Sequence, residues 1–153
     1  MNTGSNWKSL NILHKALLAG QIIFVFVFLY LVYTKALEFY LQEIDRILQV
    51  IAIGFSAAGF FAGNFLFKKR LLEAREISSG LKEKFALYRS GCIIQWALLE
   101  GPGIFCIICF LLTGNYAFIA LAAVLILLFT ILAPSKIKIA LLLGVNEEAI
   151  SEL

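Results

Sequence analysis

Charge is scarce in this chain. Of its 153 residues only 15% are Asp, Glu, Lys or Arg, whereas 61% are apolar. That balance excludes a disordered or fibrous chain and argues against a soluble domain, which needs more charge to cover its surface. Histidine is nearly absent too. His14 stands alone, which excludes a multi-histidine metal or haem site. Cys106 and Cys109 have a C-x-x-C spacing, but no second pair or histidine cluster accompanies them, so both read as small apolar fillers. No Ser-His-Asp set, phosphate-binding loop or dinucleotide fingerprint occurs. The chain is therefore not expected to be an enzyme, and no cofactor is expected. Segments of alternating polarity, which a membrane β-barrel would require, are also missing.

The sequence does contain four long apolar stretches, at about 13–33, 47–67, 91–112 and 116–133. About 20 helical residues cross a bilayer, and a backbone in lipid must satisfy its own hydrogen bonds, so each stretch is expected to be a transmembrane helix. The fold class read from this pattern is an all-α, integral-membrane four-helix bundle. The first stretch lacks a clear cleavage site and is longer than a signal core, so it is read as a retained span.

Basic residues set the expected orientation. Lys8 and Lys15 precede span one. The 68–90 loop carries Lys68, Lys69, Arg70, Arg75, Lys82, Lys84 and Arg89, and Lys136 and Lys138 follow span four. The opposite side has only Lys35 and Arg46, beside Glu38, Glu43 and Asp45. The positive-inside rule places both termini and the loop in the cytoplasm of a multi-pass cell-membrane protein. The net charge of +3 is then a matter of topology and phospholipid headgroups, with no nucleic-acid partner. Tyr33, Phe39 and Tyr40 fit an interfacial aromatic belt on the outer side.

In the loop Leu71, Leu72, Ile77, Leu81 and Phe85 are separated by charged residues, so much of it is expected to be helical, with span two continuing as a stalk before a break. The loop and the segment 134–153 are expected to lie at the headgroup level. Ser78-Ser79-Gly80 interrupts the loop. Pro134 is expected to stop span four or to start a new helix, Ser135 precedes the apolar run Ile137 to Leu143, and Gly144 ends that run. Thr113-Gly114-Asn115 is a very tight turn between spans three and four. Ala16–Phe24 matches Ala97–Phe105 at six of nine positions, which raises an arrangement of two tandem helical hairpins.

One residue stands out chemically. Glu100 is the only carboxylate inside the four stretches, and it lies near the middle of the third. An ionisable group at that depth costs roughly 3 kcal/mol, so a functional reason is expected. Counting inward from the same edge places Gln21 and Ser56 at similar depth, as a proton- or cation-binding layer. His14 and Gln95 lie nearer the cytoplasm and would line an access route. Pro102, flanked by Gly101 and Gly103, removes the donor for the Leu98 carbonyl and is expected to kink or widen the helix. A structural hydrogen bond between helices is the competing role for the carboxyl. Span two carries Gly54, Ala58 and Ala62 at four-residue spacing, with Gly59 and Gly63 beside them. These small residues are expected to let helices approach closely, chiefly within one bundle.

The run Gly54–Gly63, the basic loop after it and the run Leu99–Phe105 together resemble the proteolipid (c) subunits of rotary ATPases. Those have a glycine-rich helix, a cytoplasmic loop and a carboxylate helix. The likeness covers spans two and three only. The loop is longer than in that family, and the carboxylate is in the third span, whereas a duplicated proteolipid would carry it in the second or fourth. The resemblance implies assembly into a ring that carries protons or sodium at Glu100. The reading from the residues themselves is a small membrane protein that binds or conducts a proton or cation at a membrane-buried carboxylate, within an oligomer or larger complex. The alternative is an accessory subunit whose cytoplasmic helices dock a partner.

Overall fold

The computed structural model describes residues 6–34, 42–78 and 80–151, and these are all-α, with no strand among them. Four main helices follow one another: α1 (Asn6–Tyr33), α2 (Asp45–Glu76), α3 (Leu81–Thr113) and α4 (Tyr116–Ile131). Two short helices close the chain, α5 (Lys136–Leu143) and α6 (Glu147–Ser151). A single 3₁₀ turn, Gln42–Ile44, leads into α2. Phe39 and Tyr40 of the expected outer belt lie outside the described residues. Tyr33 is highly exposed, as a belt position should be.

Helices α1, α2 and α3 are each long and apolar enough to cross a membrane. The 16 residues of α4 rise about 24 Å, short of the roughly 30 Å hydrocarbon core. Together with α5 it forms a pair bent by 70°, which gives three spans or up to four. Large apolar side chains face outward all around, among them Phe26, Val50, Phe61, Phe65 and Ile131. An aqueous surface of that kind would be strongly disfavoured, whereas lipid tails cover it without cost.

The loop expected over 68–90 is much shorter. Helix α2 runs through to Glu76 and α3 begins at Leu81, so only residues 77–80 connect them. Both helices continue past their apolar stretches as a paired stalk. Its interior is built from Leu71, Ala74, Phe85 and Tyr88, with Tyr88 edge-on to Phe67 at 5.8 Å. The repeat does not extend to the second half of each hairpin, because α2 has 32 residues and α4 only 16.

Local chemistry fixes the ends of the elements. Gly114 ends α3 at φ 71°, the left-handed region, with its N–H donating to the Phe110 carbonyl at 2.7 Å. Asn115 then caps α4, its Oδ1 accepting from Ala117 N at 2.9 Å. Its Nδ2 donates to Asp45 Oδ2 at 2.6 Å, and Gln49 Nε2 donates to the same oxygen at 3.3 Å. One asparagine thus starts α4 and ties the α3–α4 turn to the head of α2. At the other face Ser135, after the helix-stopping Pro134, accepts from Lys138 N and starts α5, which Gly144 ends at φ 67°. Asn115→Ala removes the cap and the bond to Asp45 together. It is expected to lower stability by about 1–2 kcal/mol, read as an earlier thermal transition in detergent.

The tail does more than lie on a surface. Ile139, Ala140, Leu143 and Ile150 are buried against the base of the bundle. Arg75 Nε donates to the Leu142 carbonyl at 2.7 Å, and Lys136 Nζ sits 4.9 Å above the Trp7 ring.

Candidate functional site

Helix α3 is the hub of the fold, with α2 along one side and α1 and α4 along another. Its buried positions include Gln95, Trp96, Leu99, Pro102, Gly103 and Cys106. Glu100 lies on the rim of the opposite face. Around it Ile93, Ala97, Ile104 and Ile108 form an exposed stripe at helical spacing, with Ile104 40% and Ile108 45% exposed. Glu100 itself is half-buried, and among the described residues no hydrogen bond or ion pair reaches it. Eleven residues separate it from Arg89 and thirteen from Thr113, about 16 Å and 20 Å along the axis, so it stands near the middle of the apolar stretch of α3.

The polar layer expected around Glu100 is not assembled within one chain. Ser56 Oγ donates to the carbonyl of Ala52 on its own helix at 2.7 Å and lies beside Cys106, six residues beyond Glu100 on a different face of α3. Gln21 is buried at 4% exposure, yet its Nε2 has no partner among the described residues. It belongs to the inner seam of α1, not to the outward stripe.

The access route is not assembled either. His14 is buried at 2%, its Nε2 hydrogen-bonded to the Phe129 carbonyl at 3.0 Å. Its ring stacks on Phe129, centroids 4.6 Å apart, and meets Trp96 edge-on at 4.9 Å. His14 supplies a second donor to the Phe129 carbonyl in the last turn of α4, which also accepts from Leu132 N at 3.1 Å. Gln95 Nε2 donates to Asn64 Oδ1 at 2.8 Å, and Asn64 Nδ2 bonds the Phe60 carbonyl. One residue thus serves α1–α4 and the other serves α2–α3. Trp96 and Phe129 fill the interior at this end of the bundle and Phe110 and Phe118 at the other, each at most 1% exposed. A path to Glu100 through the middle of a single bundle is closed.

The small residues of α2 divide into two faces. Gly59 and Gly63 are buried against α3. A Cβ on Gly59 would overlap the Leu98 carbonyl oxygen and lie 3.0 Å from Pro102 Cγ, and one on Gly63 would lie 3.4 Å from the Gln95 carbonyl oxygen. Gly54, Ala58 and Ala62 are exposed, and nothing lies within 4 Å of a Cβ built on Gly54. Close packing inside the bundle therefore applies to Gly59 and Gly63 alone. Four-residue spacing could not separate the two sets, because each repeats at the helical period.

Helix α3 continues unbroken through Gly101, Pro102 and Gly103. The Leu98 carbonyl, freed by Pro102, faces the Cα hydrogen of Gly59, a weak C–H···O contact of the kind common between closely packed helices. It is occupied by packing and is not offered to a ligand beside Glu100.

Sequence reasoning missed Asn64, Trp96 and the Asp45–Asn115 pair. Asn64 could have been found as a polar side chain near the inner end of span two that needs a partner. Asp45 and Asn115 are 70 residues apart, and nothing local links them. Comparison with protein-family models, curated proteins and solved structures finds no match.

Proposed function

We propose that this chain is a non-enzymatic membrane subunit that exchanges a proton or cation at Glu100, at a contact between its bundle and another membrane helix in an oligomer or larger complex. The observation that carries this reading is the position of Glu100, a lone carboxyl at mid-membrane on an outward stripe of isoleucine and alanine. A carboxyl facing bare lipid is expensive, and a second helix supplies the missing polar partner. With the bundle interior closed by aromatic rings, exchange has to occur on the outer face of α3. The chain is read as a cell-membrane protein with both termini cytoplasmic, on the distribution of Lys and Arg. A reporter inserted at Gly80 is expected to read as cytoplasmic and one near Gln42 as external. An external reading at Gly80 would overturn that orientation.

Two substitutions test the role of the carboxyl. Glu100→Gln keeps shape and hydrogen bonding but cannot ionise, whereas Glu100→Leu removes both. Exchange predicts that both variants insert and melt like the parent but lose proton or cation flux in vesicles. A purely structural hydrogen bond predicts that Gln is silent while Leu alone weakens assembly, and that result would sink the proposal. The accessory-subunit reading is favoured by one observation. Ile137 and Leu141, one turn apart on α5, stay 58% and 73% exposed after the tail has folded back, an apolar pair that a cytoplasmic partner could cover.

A further inference from the structure

The outward face of α3 carries a second feature, nearer the basic end of the helix. Lys82, Ala86, Arg89, Ser90, Ile93 and Ile94 line an open groove of about 440 Å³. Phe85, Ala86 and Ser90 line it between the two ends, and the small side chains of Ala86 and Ser90 leave it open. Lys82 and Arg89 are exposed at its polar end, and neither has an ion-pair partner among the described residues. Ile93 and Ile94 make the other end apolar. Arg89 lies about 16 Å below Glu100 along the axis, which is half the thickness of the hydrocarbon core and therefore the depth of the lipid phosphates.

We infer that this groove binds one anionic phospholipid. Arg89 offers a planar fork to the phosphate oxygens, Lys82 adds a point charge from the aqueous side, and the Ser90 hydroxyl donates a further hydrogen bond. An acyl chain then runs over Ile93 and Ile94 towards Ala97. The order of groups, a cation about 10 Å out from the phosphates, a second at phosphate depth and then an apolar wall pointing into the bilayer, is complementary to an anionic lipid and to no soluble anion, which would leave the wall empty. The inference rests on α3 spanning a bilayer and is independent of what Glu100 does.

Lys68 and Lys69 provide an internal control. Both are exposed on α2. They stand at nearly the same depth, since a Cβ on Gly91 of α3 would lie 3.3 Å from Phe67 and 3.1 Å from Arg70 on either side of them. They lie outside the groove.

The test is native mass spectrometry of the purified protein in mild detergent with equimolar phosphatidylglycerol and phosphatidylcholine. The parent is expected to retain one phosphatidylglycerol in preference to phosphatidylcholine. Lys82→Gln and Arg89→Gln should each weaken retention about fivefold, in line with about 1 kcal/mol for a basic residue at a membrane surface. Ala86→Phe fills the groove without altering charge and should abolish retention, with an unchanged melting temperature showing that the bundle is intact. Lys68→Gln with Lys69→Gln should leave retention unchanged. Equal retention of both lipids, equal loss in the α2 control, or displacement of the lipid by millimolar inorganic phosphate would each overturn the proposal.

Discussion

Gly59→Leu is expected to separate α2 from α3 and to abolish a cooperative melting transition, while Gly54→Leu, one and a half turns away, is expected to melt like the parent. At Gly59 there is no room even for a methyl group, because its Cβ would coincide with the backbone oxygen of Leu98. A carbonyl of a continuous helix cannot swing aside as a flexible side chain can. Overpacking in a filled interior costs about 1–3 kcal/mol for a few extra methylenes, and here the obstacle is backbone, so the whole α2–α3 interface must open. Since that interface is the largest in the protein, little of the fold survives its loss. At Gly54 no atom of a neighbouring helix lies within 4 Å of an added Cβ among the described residues. A thermal scan in detergent checks both. Similar melting of the two variants would mean that α2 presents a different face to α3.

Trp96→Ala is expected to cost about 3–5 kcal/mol and to release α1 before the rest of the bundle unfolds. Trp96 is fully buried and is one wall of the pocket that holds His14. Helix α1 depends on that pocket more than its length suggests. Most of its side chains face outward, and among its described residues only Leu10, His14, Gln21 and Val32 are buried. In lipid, helices are held by close packing and polar contacts, not by expulsion from water, so losing the aromatic wall and misplacing the His14 bond removes much of what fixes α1. Limited proteolysis should then cleave between α1 and α2 in the variant at a temperature where the parent resists. Loss of α1 and of the α2–α3 stalk at one temperature would contradict a separately held first helix.

The helices were legible in the sequence because apolar length is a direct signature of a membrane span, and the ends were legible where a single residue type decides them. Gly114 and Gly144 adopt left-handed conformations and Ser135 caps a helix for reasons that act within a few residues. The stalk was half legible. Leu71, Leu81 and Phe85 pointed to helix, but the joining of α2 and α3 through only residues 77–80 depends on pairing between elements. The site was less legible for a single physical reason. Depth follows from counting residues, whereas facing depends on which neighbour a helix chooses. Gln21, Ser56, His14, Gln95 and Glu100 were grouped by depth, and the structure distributes them over different faces: Ser56 beside Cys106, Gln95 on Asn64, His14 on Phe129, and Glu100 on the outside.

The central claim is that Glu100 is an outward-facing carboxyl that takes up and releases a proton or cation within the membrane. The measurement closest to it is labelling by a hydrophobic carbodiimide, which enters from lipid and reacts with the protonated carboxyl. Membranes containing the parent protein are treated across a range of pH, and the modified residue is located by peptide mass spectrometry. The account predicts modification at Glu100 that is fast at low pH, declines as the pH rises, and is absent from Glu100→Gln. No modification of Glu100 at any pH, together with full flux through the Gln variant, would contradict it.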